Sequence, residues 1–352
     1  MSGGWIDDAG AARAASRAVH PRHGIHAPTR GTLARAPRSL RRTATTDMLR
    51  PDGLHGELVL VGRARDLWTD DRGDGRVLGE AGYEARVEFE AMRTLRELRT
   101  TPERVAAQKL LGARVTTGFR SQLDAALPGE RDARSLLYLL LDDAPVATLV
   151  SGYAMGAGGV RHRAKPGQML QHPDLCAGWR SGGTMLVGLA ENGFVPTGTG
   201  PEAPPILRDG DPAAWHALAP LSAHGMRRHR RLDLVRIGEE LVVDGFLRDL
   251  HVAADGFASI VHEYTVSAAV DARSFTFARI TAEARVLPWV ECNPAHASAA
   301  RLAGQRVGDL RARVRTDFTG VTTCTHLNDT LRSLEDIERL AGVLARESAR
   351  GS

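Results

Sequence analysis

The segment "RRHRRLDLVR" (residues 227–236) matches the earlier segment "RRTATTDMLR" (residues 41–50), and this match decides the predicted fold. Both segments begin with two arginines and carry an aspartate at the seventh position, Asp47 in the first and Asp233 in the second. Further matches follow in the same order along the chain. Because ordered self-similarity is the signature of a repeated unit, the sequence predicts a tandem duplication.

The matched blocks keep their order although gaps separate them. The shared pairs Arg65-Asp66 and Arg248-Asp249 are interpreted as structural ion pairs, because features kept in both copies serve the common fold. The blocks are "GRARDL" (62–67) with "GFLRDL" (245–250), "YEARVEFE" (83–90) with "HEYTVSAA" (262–269), "TTPE" (100–103) with "ECNPA" (291–295), "KLLGARV" (109–115) with "RLAGQRV" (301–307), and "LLDD" (140–143) with "HLND" (326–329).

The repeat divides the chain into four parts: an N-terminal arm (1–40), a first repeat with a degenerate site (41–150), a connector (151–226) and a second repeat with the candidate site (227–352). The arm has few large apolar residues and is expected to be a flexible or wrapping segment. Its histidines at every third position, His20, His23 and His26, lack a fourth ligand, which favours a solvated arm over a metal-binding tract. The Gly/Pro-rich connector is expected to be a lid or wrapping segment.

The second repeat predicts an α+β fold. Segments such as "EELVVDGFLRDLHVAA" and "SFTFARITAEARVL" alternate apolar and polar residues, as antiparallel strands do. Helices are expected from Pro294 to Gly304 and around the apolar stripe that begins at Leu327. We therefore expect tandem units of antiparallel sheet with helices packed on one face.

Composition limits the function. The chain has 352 residues, 43% of them hydrophobic, which suffices for a globular core. Arginine supplies nearly all the positive charge behind a net +4, is dispersed, and occurs with only 5% aromatic residues, so nucleic-acid binding is not expected. No apolar run reaches the ~18 residues that a membrane helix needs. Three cysteines and no apolar leader segment indicate a reducing cytoplasm.

Reactive side chains occur in the second repeat only. His262 is aligned with Tyr83, Cys292 with Thr100, Cys324 with Tyr138, and His326 with Leu140. Two of these residues, Cys292 and Cys324, are predicted at helix starts, where the helix dipole lowers a thiol's pKa. Thiolate and imidazole together favour zinc. The predicted metal ligands are therefore His262, Cys292 and Cys324, with spacings of 30 and 32 residues that exclude a compact zinc module.

The segments "RRLDL", "FLRDLH", "VHEYTV", "ECNPA…RLAG" and "CTHLNDTL" resemble the bacterial family called domain of unknown function 2889, over most of residues 227–340. A more distant resemblance is to the SufE/NifU scaffold fold of iron-sulfur assembly. That resemblance implies that His262, Cys292 and Cys324 occupy the positions of the three scaffold cysteines. The scaffold aspartate falls on Tyr264, next to Glu263, and these departures favour a single bound metal over a transferable cluster.

Three functions follow. The first is a metal-dependent hydrolase or lyase for a small-molecule substrate, with zinc, or alternatively iron, as Lewis acid or water activator. Glu263 and His326 are then the candidate acid and base, or a fourth ligand. The second is an iron-sulfur scaffold or a sulfur carrier in which Cys324 is the nucleophile, and the third is a structural metal site in a binding protein. Cys176 is interpreted as a buried thiol or a further ligand, and the oligomeric state stays open.

Overall fold

The computed structural model describes residues 5–7, 19–90, 92–162 and 173–350. Mixed strands and helices make this an α+β protein, as the sequence predicts. The strands in these ranges are β1 (Trp5–Asp7), β2 (Ser39–Leu49), β3 (Leu58–Thr69), β4 (Gly75–Glu88), β5 (Thr94–Thr101), β6 (Val160–His162), β7 (Met226–Ile237), β8 (Glu240–Val252), β9 (Ala258–Asp271) and β10 (Phe277–Val286).

The helices lie mainly after each run of four long strands. Short 3₁₀ helices cover Val105–Leu110, Ala177–Trp179, Val290–Leu302 and Leu334–Asp336. The α-helices are α1 (Phe119–Ala126), α2 (Pro128–Asp132), α3 (Leu136–Val150), α4 (Gly152–Ala157), α5 (Thr184–Asn192), α6 (Leu310–Asp317), α7 (Thr325–Ser333) and α8 (Ile337–Arg350).

One large antiparallel sheet organises the protein, with strand order β10-β9-β8-β7-β2-β3-β4-β5. Strands β2 to β5 form one meander and strands β7 to β10 form another. The first strand of each meander pairs with the other, so the segments 41–50 and 227–236 are neighbours at the centre of the sheet. Ala44 pairs with Arg230, the fourth residue of each segment, which indicates a local approximate two-fold axis between these two residues.

The shared arginine and aspartate of the two segments bind each other reciprocally. Arg41 Nε lies 2.6 Å from Asp233 Oδ1, and Arg227 Nε lies 2.5 Å from Asp47 Oδ1. Each arginine therefore neutralises the aspartate of the other meander. Because removal of one partner of a buried ion pair costs about 3–5 kcal/mol, these pairs fix how the two meanders join.

Successive polar residues of a strand point to opposite faces of the sheet. On the helix-covered face Asp66 accepts hydrogen bonds from Arg42, and Asp249 accepts them from Arg228. The arginines next to these aspartates point to the other face, where Arg65 donates to the Ala213 carbonyl oxygen. Adjacent residues of a strand point to opposite faces, so the arginine and the aspartate of each dipeptide do not pair with each other. Asp66 and Asp249 form structural ion pairs with arginines of neighbouring strands instead.

Helices cover one face of the sheet. Helix α3 packs on β2, β3 and β4, helix α7 on β8, and helix α8 on β7 and β2. The stretch Leu136–Ala157 is long and apolar enough to cross a membrane by length and composition alone, but 83% of its most apolar window is buried inside the protein. Burial on the sheet is the position expected of a core helix.

The arm and the connector cover the other face. Trp215 is 2% exposed and donates from Nε1 to Thr32 Oγ1 at 2.6 Å. Arg248 donates to the carbonyl oxygens of Thr29 and Pro204, which ties the arm and the connector to strand β8. The described part of the arm therefore wraps along the sheet.

Local predictions for the second repeat agree with the structure in the strands and differ in the helices. The turn between β8 and β9 contains Gly256, whose φ of +84° is a conformation that glycine adopts without strain. The helix expected from Pro294 begins earlier, at Val290, and is 3₁₀ rather than α. The apolar stripe from Leu327 continues through a break at Leu334–Asp336 before α8 begins.

Candidate metal centre and cavity

A cavity of about 610 Å³ lies at the end of the sheet where β4 and β10 finish and β9 begins. Its wall includes the start of α7 and two parts of the connector, residues 175–179 and 194–198. The side chains with thiol or imidazole groups in this wall are Cys176, His262, Cys292, Cys324 and His326.

Two histidines of the cavity wall, together with the fully buried Asp249, which does not line the cavity, bring potential metal ligands together. One ligand atom from each of Asp249, His262 and His326 lies within 4.8 Å of the other two. No other group of His, Cys, Asp and Glu in the described ranges meets that spacing. Strands β8 and β9 place Asp249 opposite His262 in register, and His326 is the second residue of α7.

Two ring nitrogens face the same carboxylate oxygen. His262 Nδ1 lies 3.3 Å and His326 Nε2 lies 3.9 Å from Asp249 Oδ2. The shorter contact is not aligned as a hydrogen bond, and both nitrogens are buried without a hydrogen-bond partner. Because a buried polar atom without a partner costs about 1–3 kcal/mol, two such atoms at one carboxylate make this group a candidate for binding a cation.

The two imidazole rings cannot both carry a proton at little cost. They stack with centroids 3.6 Å apart and an angle of 20° between their planes. Burial lowers the pKa of His326 well below its ordinary value, and the adjacent His262 ring lowers it further. His326 is therefore neutral at pH 7, which is the form of histidine that binds metals.

Arg228 keeps the carboxylate charged. Its Nε and Nη2 atoms donate to Asp249 at 2.8 and 3.0 Å. Burial favours the protonated acid, but the charge of Arg228 and its hydrogen bonds outweigh burial and hold the pKa of Asp249 well below its usual range. The site thus combines a fixed anion with a neutral imidazole.

The cysteines line the same cavity outside this group. Cys324, the residue before α7, places Sγ 3.7 Å from His326 Nδ1, on the side of the ring away from Nε2. Cys292 packs against Gly178, where an added Cβ would lie 3.0 Å from the sulfur, so the connector approaches closely only because this residue is glycine. The thiols therefore sit beside the predicted metal site without joining its closest group.

The expected lowering of the thiol pKa values is wrong. Burial raises the pKa of Cys324 to about 11 and raises the pKa of Cys292 well above its ordinary value. The pKa of Cys176 is also raised by burial. Loss of solvent contact outweighs the helix dipole here, so these groups are neutral thiols at pH 7 unless a cation binds them.

Glu263 does not face the cavity. Its carboxylate accepts hydrogen bonds from Arg248 Nε and from the Thr29 backbone N–H, both at 2.6 Å, on the face covered by the arm. His262, its neighbour in the strand, points to the helix face. The assignment of Glu263 as a catalytic acid or base is therefore wrong, for the same alternation that separates Arg248 from Asp249.

Pairing register also corrects the alignment of the repeats. Gly79 pairs with Asp66 directly before a β-bulge, as His262 pairs with Asp249 directly before a β-bulge. The counterpart of His262 is therefore Gly79, four residues before Tyr83. Both copies have an aspartate at this position, Asp66 in the first and Asp249 in the second. Because residues common to both copies are attributed to the fold, the sequence alone does not indicate Asp249 as a site residue.

The histidines of the arm have different environments. His23 is buried and neither ring nitrogen has a hydrogen-bond partner, while its ring lies 4.4 Å from that of His26. Burial lowers the pKa of His23 to about 4. His20 contacts the ring of Trp289, which lines the cavity. The expectation of a solvated tract is wrong for His23.

Comparison with protein-family models gives one match, within the second half of this α+β protein. Residues 226–339, the β7–β10 meander and the helices after it, match the model of a family described as "Protein of unknown function (DUF2889)". No curated protein and no solved structure matched the chain.

Proposed function

We propose that the protein is a metal-dependent enzyme for a small-molecule substrate, with a metal held by Asp249, His262 and His326. The observation that carries the proposal is the pair of buried, unpartnered nitrogens facing one carboxylate oxygen beside a 610 Å³ cavity. This ligand set differs from the predicted one, because Asp249 and His326 take the places given to Cys292 and Cys324.

Zinc is the favoured metal and iron the alternative. Two histidines and one carboxylate are a ligand set of catalytic zinc sites, and they also bind iron(II). Such a metal supplies Lewis acidity and a water that ionises near pH 7, which suits a hydrolase or a lyase. Three protein ligands leave a coordination position for water or substrate, whereas structural zinc sites have four.

The residues of this chain orient the ligands. Arg228 holds Asp249, and the Cys324 sulfur faces the second ring nitrogen of His326. Partners of this kind fix the orientation of a ligating ring and raise its basicity. Cys324 is therefore proposed as a positioning residue for His326 rather than as a ligand.

A sulfur carrier or iron-sulfur scaffold is the second candidate. It is favoured by three buried thiols, Cys176, Cys292 and Cys324, that share one cavity wall. We also propose that the chain is a tandem duplication of units that resemble the SufE/NifU scaffold fold. The reciprocal ion pairs between the two meanders support the duplication. The three cysteines form no disulfide, which is compatible with the proposed cytoplasmic location.

Metal analysis of the purified full chain tests the proposal. We expect about one zinc per chain without labile sulfide in wild type, and loss of the metal in His262→Gln with folding preserved by circular dichroism. His55→Gln, in an exposed position, is the matched control and keeps the metal. Iron with equimolar sulfide, or an unchanged zinc content in His262→Gln, would contradict the enzyme proposal.

A further inference from the structure

The cavity carries positive charge away from the metal centre. Arg93, Arg114 and Arg161 line it, and Glu90 is the one carboxylate among its described lining residues. Arg93 is half-buried and Arg114 is exposed, and neither has an ion pair within 4.0 Å in the part of the chain that the structure describes. An unpaired cationic pair at a cavity wall is a site for an anion.

The two arginines are close enough to oppose each other. Burial lowers the pKa of Arg93, and the positive charge of Arg114 lowers it further. Arg93 belongs to the turn between β4 and β5, with φ of +54°, and its guanidinium lies 5.2 Å from the centre of the Phe89 ring. A bound carboxylate, sulfonate or phosphate would neutralise both guanidinium groups.

Much of the remaining cavity wall, besides the arginines and the two histidines, is apolar. Phe89, Tyr153, Trp179, Phe194 and Trp289 all line the cavity, in a chain with only 5% aromatic residues. Apolar walls with a few placed polar groups are typical of small-molecule sites. The ligand therefore has a large apolar body.

The lining of the cavity includes residues from distant strands of the sheet. His262 lies on β9 and Phe89 directly follows β4, and these strands are five positions apart in the sheet. Neighbouring strands lie about 4.8 Å apart, so the two regions are separated by several strand widths. A compact ligand would not reach both the arginines and the histidines.

We propose that the cavity binds an elongated organic anion whose acidic group pairs with Arg93 and Arg114 while its opposite end reaches His262 and His326. The assignment of the reacting end rests on the proposed metal-dependent function. Binding of the anion itself does not, because the arginines and the apolar wall are independent of the metal.

Isothermal titration of the full chain with decanoate, 6-phenylhexanoate and decan-1-ol tests this inference. We expect at least one of the acids to bind more tightly than the alcohol, and Arg93→Gln/Arg114→Gln to weaken that acid about tenfold or more. Arg93→Lys/Arg114→Lys keeps the charge and should stay within a few fold of wild type. Arg273→Gln, at an 82% exposed side chain, is the matched control and should not change the affinity.

Three results would overturn the inference: neither acid binds, the alcohol binds as tightly as the acids, or the double glutamine variant binds like wild type while its melting temperature is unchanged. Preference for either acid supports it and defines the apolar body as alkyl or aryl. Repeating the titration after dialysis against a chelator separates the two proposals. Acid binding that persists without metal supports the anion site even if the metal centre fails its own test.

Discussion

The two halves of the sheet contain the same buried ion pair with different neighbours. Arg42 binds Asp66 in the first meander, and Arg228 binds Asp249 at the corresponding place in the second. Both aspartates are at most 6% exposed, so both need their arginine for folding. The shared pair explains why sequence comparison assigned Asp249 to structure alone.

The residues opposite these aspartates distinguish the halves. The strand residue opposite Asp66 is Gly79, and the one opposite Asp249 is His262. In the helix that follows, the matching position is Leu140 in the first half and His326 in the second. The candidate metal group therefore occurs where two imidazoles lie beside a carboxylate that both halves contain.

The largest expected effect comes from removing the arginine in each half. Arg228→Met leaves Asp249 buried without its cation, and we expect the free energy of unfolding to fall by about 3–5 kcal/mol. Arg42→Met should cost less, because Asp66 keeps Arg339 at 3.3 Å and Asp336 keeps Arg311 at 2.7 Å. Urea unfolding of both variants measures the difference, and equal losses would contradict this account of the two pairs.

Replacing His326 by the residue of the first half tests the pH dependence. The pKa of His326 is lowered in the folded protein, so only the unfolded chain gains its proton as pH falls below about 6.5. Stability is therefore complete above that pH and is lost below it, by up to about 1.36 kcal/mol per pH unit for one proton. His326→Leu should flatten this dependence between about pH 6.5 and 5 in metal-free protein.

His251→Leu is the matched control for that experiment. Burial lowers the pKa of His251 to about 4, so its replacement should also flatten the pH dependence. His251 lies outside the candidate metal group, so this variant should keep the metal while His326→Leu loses it. Retention of metal by His326→Leu would remove that residue from the ligand set.

The smallest expected effect concerns the thiols. Cys324→Ser and Cys292→Ser should keep the metal content of wild type and lose about 1–2 kcal/mol of stability, because burying a hydroxyl costs more than burying a weakly polar thiol. Thermal unfolding and metal analysis measure both quantities. Loss of the metal in either variant would instead favour the ligand set predicted from the sequence, which includes both cysteines.

Much of the fold could be predicted because strand periodicity and helix stripes are local signals. The strands of the second repeat and the stripe from Leu327 follow directly from alternation and spacing. The pairing of β2 with β7 could not be predicted, since register between distant segments depends on contacts such as Arg41 with Asp233.

The site could be predicted only in part. His262 and His326 are predicted because the first repeat lacks them, and both belong to the candidate metal group, whose role stays a prediction. Asp249, the third member of that group, was not predicted. Strand alternation places Glu263 on the face opposite His262, and its buried partner Arg248 could not be identified without the pairing of β8 with β9. The thiol pKa values depend on burial, which the sequence around Cys324 does not reveal.

X-ray absorption at the zinc edge of the metal-loaded full chain tests the central claim most directly. Zinc–nitrogen and zinc–sulfur bonds differ, at about 2.0–2.1 Å and 2.3 Å. A site formed by Asp249, His262 and His326 predicts a first shell of nitrogen and oxygen with imidazole scattering and no sulfur. A shell with one or more sulfur atoms at about 2.3 Å would contradict it.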